Sequence, residues 1–312
     1  MDRINKIMEG AAYWGAFFRE NVDKFAEMYL HLRLRLFQRI VLVMMFWSTT
    51  FVWIAARGAS KTFMSAVYSV IRCILYPGTK VVIACKVRSQ GINVLEKITQ
   101  ELVPNSPELK NEIDWRNTQI NGSKAIIAFK NTSTIQVATA SDSARGKRAS
   151  VLLLDEYRLI NKNTVDDILK KFLNWRRSPR YSELTPEERN AEYDKEKNLT
   201  LYLSSAWWKD SWAYTKCTDT LKAMVNPKRK QFICAFPYEL SIAEGLLDPD
   251  AVADEMLDTQ FSEIRWSIKF LCSLNLLNPD ACWGCHTDYD ANRETLSAIL
   301  HMTILCQDAN FA

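Results

Sequence analysis

The chain has 312 residues, 48% of them apolar, and a formal net charge of +4. That length suits one large domain or a core with an appendage, and so mild a positive balance excludes a polycation acting through its whole surface, so any nucleic-acid face must be local. Eight cysteines are scattered without a small-domain framework, behind a mixed-charge start, "MDRINKIMEG", that lacks a secretory signal; free thiols in a reducing cytosol are expected.

Residues 1–47 read as helix. Ile4, Ile7, Met8, Ala11, Trp14 and Phe18 recur at helical spacing, followed by Val22, Phe25, Tyr29, Leu32, Leu36 and Ile40. Inside this region "LHLRLRLF" also alternates with period two, but the longer helical register is preferred. The uncharged run "IVLVMMFWSTTFVWIAA" sits at the short edge of a membrane span. It is read instead as a buried helix end, a polar break at Ser48-Thr49-Thr50 and a buried strand, because it runs into Arg57-Gly58 and a nucleotide-type motif.

From about residue 50 short apolar runs alternate with helical segments. Strands are predicted at 51–55, 80–86, 151–156 and 199–205, and helices at 61–76 and 88–103, the first stopped by Pro77-Gly78. Runs at 125–130 and 134–140, split by "NTS", predict a hairpin or paired edge strands. Continuous apolar strands alternating with helices predict an α/β fold with a mainly parallel sheet flanked by helices. The stretch 180–198 is charged and solvated, and after residue 212 the pattern is mostly helical, with one possible strand at 231–236.

The stretch "AARGASKT", residues 55–62, follows a predicted strand and opens a predicted helix, the setting of a phosphate loop. Such a loop aims successive backbone N–H groups at phosphate oxygens, adds the positive end of a helix and neutralises charge with a lysine. The pattern G-x-x-x-x-G-K-[ST] wants glycine where this chain has Ala55 and Ser60, so those two residues must take φ/ψ values open to a non-glycine. Ala55, Ala56, Arg57, Gly58, Ala59, Ser60, Lys61 and Thr62 are the candidate nucleotide-binding residues. Lys61 would reach the outer phosphates and Thr62 would hold Mg²⁺ through its hydroxyl. Downstream, "VLLLDE" ends in two carboxylates: Asp155 as the Mg²⁺ partner and Glu156 as the residue that orients the attacking water. Placed on consecutive βα units, the two motifs point to an ATPase.

The combined pattern resembles the ATPase domain of large terminase subunits, the DNA-packaging motors of tailed bacteriophages. Five stretches carry the resemblance over roughly residues 30–270: "LFQR", "AARGASKT", "VVIACKVRSQ", "SARGKRASVLLLDEYR" and "LYLSSAWW". The departures are Ala55, Ser60 and the bulky Tyr157 behind Glu156. The resemblance implies an ASCE-type, RecA-like P-loop core at 50–206, behind an N-terminal helical region at 1–49 that carries an adenine-binding motif. A mostly helical lid at 207–270 and a tail or linker at 271–312 would follow. It implies that Gln38 hydrogen-bonds adenine with Phe37 or Arg39 nearby, that Arg57 contacts phosphate, and that Arg145 or Arg148 acts as an arginine finger. Ser204 and Ser205 would couple phosphate loss to the lid. The family's C-terminal nuclease has no evident counterpart after residue 270, so ATP hydrolysis without DNA cleavage is expected.

The partners implied are double-stranded DNA, the procapsid portal protein and the small terminase subunit, in a homo-oligomeric ring docked on the portal in the host cytoplasm; the isolated domain could be a monomer, and no membrane is implied. DNA contacts are expected from Arg176, Arg177 and Arg180 or from Lys228, Arg229 and Lys230, because phosphate contacts hold DNA without reading it. "CWGCH" (Cys282, Cys285, His286) imitates a haem-attachment motif but lacks an export signal and further metal ligands. Two other readings stay open, a helicase of similar core and a nucleotide-binding module that hydrolyses little. A membrane-anchored protein is a distant further one.

Overall fold

The computed structural model describes residues 2–252, apart from 57, 122–123, 142–143, 145, 176–196, 207–209 and 227. Its centre is an eight-stranded sheet in the order β3-β4-β5-β2-β6-β7-β1-β8. The strands are β1 (Thr50–Ala55), β2 (Lys80–Cys85), β3 (Gln119–Ile120), β4 (Ala125–Ala128), β5 (Thr134–Thr139), β6 (Val151–Asp155), β7 (Leu199–Ser204) and β8 (Gln231–Phe236). All pairings from β5 to β8 are parallel, and only β3–β4 and β4–β5 are antiparallel. The predicted hairpin is thus the antiparallel margin of a parallel sheet.

The apolar runs of the sequence are the inner strands because both sheet faces are covered. Alternate residues sort to opposite faces. Phe51, Trp53, Val81, Ile83, Leu153 and Leu203 join one core. It is closed by helices α1 (Asp2–Glu20), α2 (Val22–Met28), α3 (Leu36–Trp47), α4 (Lys61–Leu75) and α5 (Arg88–Lys97). Val52, Ile54, Val82, Leu152 and Tyr202 point the other way, under the segment 157–173 and helix α6 (Trp212–Met224). The α5 backbone lies directly on β5: a Cβ added at Gly91 would come within 2.5 Å of Val137.

Three expectations change. Residues 29–35 are not helical. Leu30 and Leu32 are buried while His31 and Arg33 are exposed, so the period-two alternation prevails, and His31 takes φ 55 to turn the chain. The strand at 231–236 lies in the stretch expected to be lid, yet pairs along its whole length with β1; the sheet therefore runs past residue 206. Finally, the units carrying the two motifs are not neighbours in the sheet, because β7 runs between β1 and β6. The uncharged run resolves into the end of α3, a break at Ser48 and then β1. Among the described residues no helix is long and apolar enough to cross a membrane.

Candidate active site

The candidate residues converge where β1, β6 and β7 end side by side. Asp155 is the last residue of β6 and registers against Leu203 of β7, while Ile54 of β1 registers against Ser204. The switch from strand to helix after β1 brings Lys61, the first residue of α4, back over these ends. Its ammonium lies 3.9 Å from Glu156 Oε1, and it also donates to the carbonyls of Ala55 at 2.9 Å and Ala56 at 3.3 Å.

Glu156 is held from several directions. Its Oε2 accepts from Arg158 Nε at 2.9 Å, from Ser204 Oγ at 3.2 Å and from the Ser205 backbone N–H at 3.4 Å. Its Oε1 accepts from Ser205 Oγ at 3.4 Å. The two serines predicted at the end of a strand therefore bridge that strand to the acidic pair. Burial pushes the Glu156 carboxyl up, but the charge of Lys61 and the hydrogen bond and charge of Arg158 hold it below the ordinary glutamate range. Asp155 behaves oppositely. Burial, and then the charge of Glu156, push it up to about 6 despite Lys61. Adjacent carboxylates with divergent environments are the pattern expected of two groups with separate tasks.

Two non-glycine residues at this site adopt left-handed backbone. Glu156 has φ 46 and ψ 49 at the strand end, and Ser60 has φ 60 and ψ 24 at the start of α4. Ser60 thus takes left-handed backbone, a conformation that a non-glycine can hold but that favours glycine. Gly58 is also left-handed, at φ 75, and a Cβ there would meet Leu247 at 3.1 Å and the Leu246 carbonyl at 3.2 Å.

A cleft of about 480 Å³ opens beside the loop. Its walls are the extended segment 32–35, Gln38, residues 60–63, Lys97, Glu101 and Leu246. Gln38 is 3% exposed, which places it inside the site rather than on an open helix surface. Arg39 does not join it: that side chain leaves the cleft to pair with Asp23 at 2.6 Å. Arg33 and Arg35, which the sequence did not single out, line the cleft in its place. Arg35 also binds the Glu244 carbonyl at 2.9 Å, tying the cleft's rim to the chain that passes over Gly58.

Tyr157 turns away from the site. It is fully buried, its hydroxyl donates to the Ala213 carbonyl at 3.2 Å and lies 3.0 Å from Cys217 Sγ, and its ring packs edge-on against Tyr202 and Trp212. Trp212 in turn donates to the Ile160 carbonyl. The bulky residue after the acidic pair is thus an anchor to α6. Arg158 is the residue sequence reasoning missed, and its charge two positions beyond Glu156 was the available signal. Arg148 is exposed and Lys228, Arg229 and Lys230 form an exposed turn. Arg57, Arg145, Arg176, Arg177, Arg180, Cys282, Cys285, His286 and the stretch 271–312 lie outside the described residues.

No protein-family model matches the sequence, and no curated protein matches it. Solved structures do. The large terminase of bacteriophage HK97 matches with a TM-score of 0.57 at 14% identity, over 76% of this chain and 50% of that one. The large terminase ATPase domain of Thermus phage P74-26 matches with a TM-score of 0.51 at 16% identity, over 79% of this chain and 96% of that domain. The fold is that of the large-terminase ATPase domains. The chain spans about half the length of the HK97 protein and nearly all of the isolated P74-26 domain.

For Mg²⁺, the donor set suits an ion carried in with phosphates. Among the described residues no cluster of three or more His, Cys, Asp or Glu could cage a metal. Asp155 instead offers one buried carboxylate that feels the charge of Lys61, the first residue of α4, as expected for an ion that takes few protein ligands and keeps water and phosphate.

Proposed function

We propose that this chain is the ATP-hydrolysing motor domain of a large terminase, which drives double-stranded DNA into a procapsid. The observation that carries the reading is the Lys61–Glu156 approach of 3.9 Å across a strand end bearing Ser204 and Ser205, on a sheet of the terminase ATPase fold.

In this reading the first-turn N–H groups of α4 cradle the phosphates, and Lys61 exchanges its loop carbonyls for phosphate oxygens. Thr62 and Asp155 would hold Mg²⁺, which neutralises charge on the phosphates when bound. Glu156 accepts a proton from the attacking water while Arg158, Ser204 and the Ser205 backbone N–H hold its Oε2. Departure of the terminal phosphate removes charge facing Lys61 and Glu156, and Ser204-Ser205 passes that change into β7 and α6. Arg145 or Arg148 from a neighbouring copy would complete the site in a ring. DNA, the portal protein and the small terminase subunit are the partners of the assembled motor, which would work in the host cytoplasm.

The test is a phosphate-release assay with Mg²⁺ and ATP on the native chain and on Glu156→Ala. Hydrolysis by the native chain that disappears in the variant supports the reading. Equal turnover in both would remove Glu156 from the chemistry, and no turnover in either would favour a nucleotide-binding module.

A further inference from the structure

We propose that Gln38 is a positioning residue for the phosphate loop: it holds Ser60 in the left-handed geometry that leaves the start of α4 open to phosphate. The inference rests on the nucleotide-binding reading above and assigns Gln38 a task beyond contact with adenine. The Arg35 backbone N–H, 3.0 Å from the Gln38 amide oxygen, can only donate. That fixes the orientation of the amide, so Nε2 faces Ser60 Oγ, at 3.1 Å.

Ser60 occupies the N-cap position of α4. A serine there ordinarily takes extended backbone and turns its hydroxyl inward, to accept from an N–H of the first turn. This one does neither. Its backbone is left-handed, and its side chain makes no cap hydrogen bond. Those first-turn N–H groups have no carbonyl partner within the helix, and they are the donors a phosphate needs. A serine is thus poised between two arrangements: self-capped, with its hydroxyl competing for the phosphate's donors, or left-handed and open. The Gln38 amide selects the second. Gln38 is 3% exposed, so its geometry is set by packing and by Arg35, and the clamp is present before any ligand arrives. Where a glycine would make the loop open by backbone freedom alone, this chain uses a serine and a glutamine.

The experiment measures Mg²⁺-dependent binding of ATP and of inorganic tripolyphosphate, which has no base, to the native 312-residue chain, Q38M, S60G and Q38M/S60G. Loss of one buried hydrogen bond predicts that Q38M weakens both ligands to a similar extent, about tenfold. In the S60G background, which has no hydroxyl to turn inward, Q38M is expected to cost less than about twofold for tripolyphosphate. That rescue also shows that Q38M folds. If Q38M weakens ATP alone, Gln38 acts only on the base and the inference fails while the nucleotide reading stands. An equal loss with and without S60G, or no loss at all, overturns it too. If the native chain binds neither ligand, both readings fall together.

Discussion

Two backbone positions of the site share a conformation and differ in how they are held. Ser60 and Glu156 are both left-handed, one where the loop enters α4 and the other where β6 ends. Ser60 is neutral, and a single amide hydrogen bond from another element reaches its side chain. Glu156 is charged and clasped by Arg158, Ser204 and Ser205 while facing Lys61. The contrast separates binding from chemistry. The loop has only to stay open to phosphate, so one neutral hydrogen bond suffices. The carboxylate must not move relative to the reacting water, so it is fixed by charge and by two elements at once.

The sharpest way to break this comparison is to remove charge at each end. Glu156→Gln is expected to keep nucleotide affinity within a few-fold and to cut turnover by at least about 100-fold, the range for loss of a positioned base. Lys61→Ala is expected to weaken nucleotide binding itself. Equilibrium titration alongside steady-state hydrolysis separates the two, and a Glu156→Gln variant that loses affinity as severely as Lys61→Ala would dissolve the division between the regions. A smaller effect follows at the clasp. Arg158→Ala frees one Glu156 oxygen from a charge-assisted hydrogen bond, and about a tenfold fall in kcat is expected with KM for ATP nearly unchanged. Arg158→Lys should recover part of it. A fall in kcat with a rise in KM, unrelieved by lysine, would mean that Arg158 merely supports the fold.

How much of this was legible in sequence follows the same physical divide. The strands β1, β2, β6 and β7 announced themselves because a strand buried on both faces must be apolar throughout, and the acidic pair could be placed because it ends such a run. What could not be read is what depends on contacts distant in sequence. "QFICAF" looked like a strand, but nothing local says that its neighbour is β1, some 180 residues earlier by the Thr50↔Gln231 register. Residues 29–35 carried two competing periods, and burial of Leu30 and Leu32 decided between them. Gln38 and Ser60 were each found as candidates, but nothing local showed that they meet across 22 positions. Arg39 was misplaced because adjacent helical residues point about 100° apart, which sends it to Asp23 while Gln38 enters the cleft.

On the other face of the sheet, Tyr157→Phe tests whether the clasped region is also braced from behind. The change removes a buried hydroxyl whose partners are the Ala213 carbonyl and Cys217, and should lower stability by about 1 kcal/mol in urea unfolding. Because the ring keeps its packing against Tyr202 and Trp212, turnover per folded molecule should change less than in Arg158→Ala. A larger loss of turnover than of stability would make α6 part of the catalytic support.

The smallest expected effect concerns the loop's own strain, and its sign pattern matters more than its size. Ser60→Gly relieves left-handed backbone, worth about 1 kcal/mol, yet forfeits the bond from Gln38, worth about as much. The two terms oppose, so the ligand-free variant should unfold within about 1 kcal/mol of the native chain. Ser60→Ala forfeits the same bond and keeps the strain. Nothing offsets the loss there, and the variant should be less stable than Ser60→Gly by about 1 kcal/mol. If alanine and glycine at this position prove equally stable, left-handed geometry is not a constraint on the loop. The parallel drawn between Ser60 and Glu156 would then be one of appearance, with Glu156 alone held against its backbone preference.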